Sequence, residues 1–248
     1  MKITVNGSNG RMGCEVVKML LDEVRGCTLA AAVDVNAPEA ANYPTFSSLE
    51  NVNVDSDCII DFSHHSATLA VVNYAVSSGL PAVIATTGQT DEELEYIKAA
   101  SKSVPIFFSA NMSLGVALLA ELAKLTAKIM KGADIEIIET HHNRKLDAPS
   151  GTALLLADEI KQVRENANYV YGRHGQAKRE QNEIGIHAVR MGNIVGIHEI
   201  RIGTDSQTIT LKHEAHSRAL FAEGAIAAAE FLQDKPEGLY NMKDMVNS

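Results

Sequence analysis

The densest collection of reactive side chains in this sequence is Glu139-Thr140-His141-His142-Asn143-Arg144-Lys145-Leu146-Asp147-Ala148-Pro149-Ser150-Gly151-Thr152. Residues 141–145 hold two histidines, an arginine and a lysine, in a chain whose formal net charge is -9. A histidine titrates near neutrality and can give or take a proton, and a lysine beside it adds a cation and a donor. The segment then passes through Pro-Ser-Gly-Thr into an apolar stretch that reads as a helix over 153–163. A helix start leaves N–H groups without intrahelical acceptors. Gly151 and Thr152, with a hydroxyl from Ser150 or Thr152, therefore make a nest for a carboxylate. The competing reading is a plain helix cap at Ser150 or Asp147 followed by a solvated charged face.

A second constellation opens the chain. Ile3-Thr4-Val5-Asn6-Gly7-Ser8-Asn9-Gly10-Arg11-Met12-Gly13 spells GxxGxxG between a strand-like and a helix-like stretch. Gly7 permits a tight turn, Gly10 lets backbone N–H groups approach a pyrophosphate, and Gly13 lets the helix lie close to the strand. The helix N-terminus adds partial positive charge and Arg11 a full one. Asp34 closes the second strand 21 residues beyond Gly13, where an acidic side chain accepts from ribose hydroxyls. Val35 and Asn36 follow it, with no arginine to pair a 2′-phosphate. NADH is therefore expected to be preferred over NADPH, with Arg11 softening the preference. Ala85-Thr86-Thr87-Gly88 and Ser109-Ala110-Asn111-Met112 follow later strands and suit the same crevice, while His64 and His65 read as exposed loop histidines.

A metal site is the other chemistry weighed. Of nine histidines, all but His64 and His65 lie between 141 and 216. His213 and His216 sit in or beside a strand, where i and i+3 point to opposite faces, and no cysteine lies in that half, so no metal is expected. Cys14, Cys27 and Cys58 are scattered and read as unpaired thiols in a reducing compartment.

The elements that must hold these groups follow from periodicity. Strands are expected at 3–6, 29–35, 58–62, 82–86 and 106–108, with helices at 11–24, 67–77 and 91–101, the last capped by Asp91. Such alternation predicts a doubly wound parallel sheet covered on both faces. After Asn111 the pattern changes to a helix at 114–130, a strand at 134–140, the helix at 153–163, a polar loop at 165–182, strands at 183–190, 194–202 and 207–214, and a helix at 219–232. That is an α+β arrangement with a mixed or antiparallel sheet. The 248 residues are 46% hydrophobic and 21% charged, which excludes a disordered chain. The acidic balance argues against a nucleic-acid partner. No apolar run approaches a membrane span, and no signal peptide is visible at the start. A cytoplasmic protein is expected.

Taken in order, GSNGRMG, ATTG, SANMSLGV, ETHHNRKLDAPSGTA, GNIVGIHEI and HEAHSRALFAEGAIAAAEFL resemble segments of the 4-hydroxy-tetrahydrodipicolinate (dihydrodipicolinate) reductase family across essentially the whole chain. The resemblance implies a Rossmann-like dinucleotide-binding domain at 1–112, completed by a C-terminal helix in 217–248, and a substrate-binding and oligomerisation domain at 113–216 that builds a homotetramer. It implies NAD(P)H-dependent reduction of a cyclic unsaturated dicarboxylate to tetrahydrodipicolinate, in the diaminopimelate route to lysine. By resemblance His141 is the proton donor/acceptor and Lys145 the proton donor, and His142, Gly151 and Thr152 bind substrate. By the same resemblance Gly7, Ser8, Asn9, Gly10, Arg11, Met12, Asp34, Ala85, Thr86, Thr87, Ser109, Ala110, Asn111 and Met112 bind cofactor. The chain departs from the family at Asp34-Val35, where an acidic–arginine pair is common, and at Arg190-Met191-Gly192, where Arg-Gly-Gly is common. The alternatives are another Rossmann-domain dehydrogenase acting on a small carboxylate, and a non-catalytic nucleotide sensor. Neither calls for HHxxKxDAPSGT.

Overall fold

The computed structural model describes residues 1–37 and 41–248. In chain order the elements are β1 (Lys2–Asn6), α1 (Arg11–Leu21), β2 (Thr28–Val33), β3 (Thr45–Phe46), β4 (Cys58–Asp61), α2 (Thr68–Ser78), β5 (Ala82–Ile84), α3 (Asp91–Ala100), β6 (Pro105–Phe108), α4 (Leu114–Ile129), β7 (Asp134–His141), α5 (Gly151–Lys161), β8 (Asn168–Tyr171), β9 (Glu183–Arg190), β10 (Gly196–Gly203), β11 (Thr208–Ala215), α6 (Ala219–Leu232), β12 (Gly238–Tyr240) and α7 (Met242–Val246). They form two compact units, Met1–Ser113 with Ala219–Ser248, and Leu114–Arg218.

The first unit is a seven-stranded sheet in the order β12-β6-β5-β4-β1-β2-β3. Every pairing is parallel. Its strands are short apolar runs. Ile3, Val5, Ile59, Ile60, Val83, Ile84, Ile106 and Phe107 are fully buried, as a sheet with both faces covered requires. From β1 the chain runs outward to β2 and β3 on one side and to β4, β5 and β6 on the other. The reversal opens a crevice at the carboxyl ends of β1 and β4. This is a Rossmann-like, doubly wound sheet. Half of helix α6 is alanine or glycine, and it buries Ala222, Ala225, Ala228 and Ala229. At Gly224 a Cβ would stand 1.7 Å from the Met112 carbonyl oxygen, so only glycine lets the helix approach the end of the 109–112 turn.

The second unit is a five-stranded mixed sheet, β11-β10-β7-β9-β8. Strands β7, β9 and β8 run parallel, and β10 runs antiparallel to both β7 and β11. Helices α4 and α5 cover one face. On that face Ile135 and Ile137 of β7, Ile184 and Ile186 of β9, and Ile200 and Ile202 of β10 join Leu156 and Ile160 of α5 in one core. Strand alternation carries the same face on to Glu139 and His141, to Arg190 and to His198. The polar cluster is thus the continuation of the apolar core toward the carboxyl end of β7.

Three local expectations are corrected. Thr90, not Asp91, caps α3. Its hydroxyl accepts from Glu93 N at 3.2 Å while Glu93 Oε2 accepts from Thr90 N at 2.7 Å, so the Thr-x-x-Glu spacing wins over the acidic residue inside the first turn. The polar stretch 165–182 contains a strand, β8, which pairs with β9; its alternation is hidden by half-exposure at the sheet edge. The segment after α6 adds an edge strand, β12, beside β6, as well as helix. Among the described residues no helix is long and apolar enough to cross a membrane.

Candidate functional site

In the first unit β1 ends at Asn6 and the chain turns at Gly7, with φ +76°. A Cβ at residue 7 would lie 2.6 Å from the Ser63 backbone, and one at residue 13 would lie 2.0 Å from Gly7 O. Both positions therefore exclude every residue but glycine. The turn is pinned by Gly7 N and Ser8 N, which donate to Val33 O at 2.8 and 3.1 Å. Asp34 pins it from the other side. Its Oδ2 accepts from Asn9 N at 3.1 Å and its Oδ1 from Asn36 N at 2.9 Å. The carboxylate thus sits at the lip of the glycine turn, and Arg11 is the first residue of α1, with Met12 behind it.

Beneath the turn lies a group that sequence reading missed. Asp61, at the end of β4, is fully buried. It accepts from Asn6 Nδ2 at 2.8 Å, Ser63 N at 3.2 Å and Ser63 Oγ at 2.6 Å. Burial pushes its carboxyl pKa up, against the pull of the Ser63 and Asn6 bonds. Asp61 binds the end of β1 to the loop after β4 and so fixes the floor of the cradle. A cleft of about 440 Å³ opens above it, lined by Gly7, Gly10, Asp34, Ser48, Ser63 and His64 among others. His64 is exposed in the loop, as expected, and belongs to that lining; the neighbouring His65 is half-buried, its Nδ1 2.9 Å from Glu93 Oε2. Ala85, Thr86 and Thr87 leave the end of β5, with Ala85 N donating to Asp61 O at 3.0 Å. Ser109, Ala110, Asn111 and Met112 leave the end of β6, tied by Ser109 Oγ to Asn111 O at 2.8 Å. All the expected cofactor residues thus lie at the carboxyl ends of parallel strands in one sheet. A turn that admits no Cβ, a helix N-terminus and a carboxylate at the cleft's lip fit a dinucleotide.

In the second unit the 139–152 segment runs off the end of β7 into α5. Ser150 caps α5, its hydroxyl accepting from Ala153 N at 3.2 Å, so the cap reading holds and Gly151 and Thr152 form the first turn. A Cβ at 151 would meet no atom within 4 Å; the fold itself does not demand glycine there. His141 is 8% exposed, and its Nδ1 lies 2.5 Å from Glu139 Oε2. His142 has its Nδ1 buried without a partner among the described residues. Burial, then the charges of Arg144 and Arg218, then His141 and Lys145, push its pKa down. Lys145 Nζ pairs with Asp147 Oδ1 at 2.8 Å, and that bond holds Asp147 below the usual carboxylate range. Despite the acidic chain, Arg144, Lys145 and Arg218 all act on one histidine. The cations are gathered where an anion would need them.

Three residues of this cluster had no local signal. Arg190, opposite His141 across β9, donates Nη1 to Glu139 Oε2 at 2.8 Å and Nη2 to Glu139 Oε1 at 2.7 Å. His198 of β10 faces Glu139, and its Nε2 lies 3.1 Å from Ser150 Oγ. Burial first, then His141, push the His198 pKa down to about 4. Gly196, also on β10, would place a Cβ 3.1 Å from His141 Nε2. Only Glu139 had a usable signal, since i and i+2 on a strand share a face. A smaller cavity of about 260 Å³ lies near Ala133 and Ile135, at the far end of β7, and contains none of this segment. Among the described residues no group of three or more His, Cys, Asp or Glu is placed to hold a metal ion.

Comparison with known proteins agrees with both halves. Residues 1–112 match the family described as dihydrodipicolinate reductase, N-terminus, and residues 115–246 match dihydrodipicolinate reductase, C-terminus. The chain is 47% identical over 248 residues to the 4-hydroxy-tetrahydrodipicolinate reductase of Caldanaerobacter subterraneus subsp. tengcongensis, covering 99% of this chain and 98% of that one. It is 44% identical over 250 residues to the enzyme of the same name from Clostridium tetani, covering 100% and 98%. Its fold is similar to that of a dipicolinate-bound dihydrodipicolinate reductase from Paenisporosarcina sp. TG-14, with a TM-score of 0.83, 26% identity and 99% of each chain covered. With two family matches in register along the whole chain, the protein belongs to the dihydrodipicolinate reductase family.

Proposed function

We propose that this chain reduces 4-hydroxy-tetrahydrodipicolinate to tetrahydrodipicolinate with NAD(P)H, in the diaminopimelate route to lysine, using the 141–152 segment as its substrate site. The observation that carries this reading is that Glu139 joins His141 to Ser150, the cap of α5, while the charges of Arg144, Arg218 and Lys145 converge on the adjacent His142. That relatives carry the reductase name, and that a related structure holds dipicolinate, a planar dicarboxylate, supports it.

A dinucleotide held by Gly7, Ser8, Asn9, Gly10, Arg11, Met12, Asp34, Ala85, Thr86, Thr87, Ser109, Ala110, Asn111 and Met112 would supply the hydride. The chain's own residues do the rest. The N–H groups of Gly151 and Thr152, at the positive end of α5, hold one substrate carboxylate. His142, with the cations around it, holds the other. The 4-hydroxyl leaves as water, with His141 giving it a proton and taking one back from the ring, and Lys145, kept in place by Asp147, donates the one proton that is consumed with the hydride. General acid help of this kind contributes about 10²–10⁴-fold in rate.

NADH is the preferred cofactor in this reading, because Asp34 stands at the ribose end of the cleft and Val35 beside it is 85% exposed and uncharged. A homotetramer built through the second unit is supported by the apolar stripe Leu114, Leu118, Leu122, Leu125 and Ile129 left exposed along α4. A cytoplasmic address suits the three unpaired cysteines, two of them buried. The test of function is direct: the cyclic substrate is generated in situ and loss of reduced-cofactor absorbance is followed with NADH and with NADPH. Turnover with NADH in excess of NADPH supports the reading, and no turnover with either removes it.

A further inference from the structure

Glu139 takes no part in the steps above, yet its two oxygens accept four hydrogen bonds. It stands two residues before His141 on β7, on the same face, and is fully buried. Its Oε2 accepts from His141 Nδ1 at 2.5 Å and from Arg190 Nη1 at 2.8 Å. Its Oε1 accepts from Arg190 Nη2 at 2.7 Å and from Ser150 N at 3.0 Å. An unpartnered carboxyl at such depth would be driven neutral. Here burial does push the pKa up, but the bonds from His141, Arg190 and Ser150 outweigh it and bring it down to about 2. A carboxylate accepts and cannot donate. The proton between the two groups therefore belongs to His141 Nδ1, and in the neutral ring Nε2 is the bare nitrogen.

The surroundings keep that nitrogen available. Gly196 lies where any side chain would crowd it, with a Cβ only 3.1 Å from Nε2. The adjacent His198 ring stands edge-on to His141, centroids 5.1 Å apart at 72°. It is engaged at Nε2 by Ser150, not by His141. Arg190, whose guanidinium also donates to Asp147 O at 2.6 Å, prevents the carboxylate from rotating. The start of α5, through Ser150 N, fixes its other oxygen.

We propose that Glu139 is a positioning residue for the reduction: held by Arg190 and Ser150 N, it locks His141 with the proton on Nδ1 and Nε2 presented to the substrate. This deepens the proposed function and rests on its assignment of His141 to the reacting centre. A carboxylate behind a catalytic imidazole sets the tautomer and orientation without itself being protonated.

The test has one readout that needs no variant. Long-range ¹H–¹⁵N correlation spectra of the full-length, ¹⁵N-histidine-labelled protein report which nitrogen of His141 carries the proton in the neutral ring, with the signal assigned by its loss in His141→Asn. Protonated Nδ1 is expected, and protonated Nε2 overturns the proposal. The second readout is steady-state kinetics of Glu139→Gln, isosteric but uncharged. We expect kcat to fall about 10–100-fold, while KM for the cyclic dicarboxylate and for NADH stays within about twofold. An unchanged kcat in Glu139→Gln beside an inactive His141→Ala overturns this inference alone. A fully active His141→Ala overturns the site assignment beneath it as well. If Glu139→Gln does not fold, the wild-type tautomer decides.

Discussion

Ser150 joins the end of β7 to the start of α5: its N–H donates to Glu139 Oε1 at 3.0 Å, and its hydroxyl accepts from Ala153 N at 3.2 Å. One residue thus caps the helix at whose N-terminus the substrate is proposed to bind and braces the carboxylate that holds His141. The Ser150→Ala variant keeps its backbone N–H and loses the cap and the contact to His198. Its stability is expected to drop by about 1 kcal/mol, read by urea denaturation, with Glu139 still clamped and kcat falling less than in Glu139→Gln.

Stability should respond to acid in two separate windows. The folded pKa of His198 is lowered from 6.5 to about 4. The unfolded chain therefore binds a proton that the folded chain does not, and stability falls as pH drops from about 6.5 to about 4. The loss is on the order of 3 kcal/mol. Glu139 is lowered from 4.5 to about 2, so its contribution is intact above pH 4.5 and disappears as pH falls toward 2. Denaturant titrations at pH 7, 5 and 4 check the first window. His198→Gln should flatten it while the lower window remains.

Gly196→Ala probes the space over His141 Nε2. The added methyl arrives 3.1 Å from that nitrogen, and the ring cannot swing aside because Nδ1 is held by Glu139 at 2.5 Å. Turnover should fall at least about tenfold with the melting temperature nearly unchanged. A variant with wild-type kcat would show that the nitrogen does not work on that side.

Asp34→Ala removes the acceptor of Asn9 N and Asn36 N at the lip of the glycine turn. The dissociation constant for NADH should rise about tenfold or more, and single-turnover hydride transfer at saturating NADH should be unaffected. Fluorescence titration measures the first and stopped-flow absorbance the second. An equal loss of NADPH binding would mean that Asp34 serves the turn alone and not the ribose.

What was legible in the sequence was whatever depends on neighbours along the chain. Gly7 and Gly13 announce the cradle because a tight turn and a close helix–strand contact exclude Cβ locally. Ser150 announces a helix start for a different local reason, its hydroxyl being able to accept from Ala153 N three residues on. Alternating β and α stretches gave the parallel sheet. Hidden features are those set by distant partners. Arg190 and His198 reach Glu139 only through the register of β9 and β10 with β7, and no spacing in the chain encodes that pairing. Asp61 lies within the expected strand 58–62, and its enclosure by Asn6 and Ser63 depends on the pairing of β4 with β1. Strand β8 was lost because an edge strand needs only one good face. The cap of α3 is itself legible, since Thr90 and Glu93 carry the capping-box spacing and Asp91 lies one residue inside it.

In the proposed reaction His141 and Lys145 deliver protons to a dicarboxylate held at α5. The measurement that tests it most directly is the rate of substrate-dependent NADH oxidation by wild type, His141→Ala and Lys145→Ala, alongside the NADH dissociation constant of each. Both variants should lose at least about tenfold in turnover while binding NADH as wild type does. Wild-type turnover in both, with the dinucleotide bound normally, would place the chemistry elsewhere in the molecule.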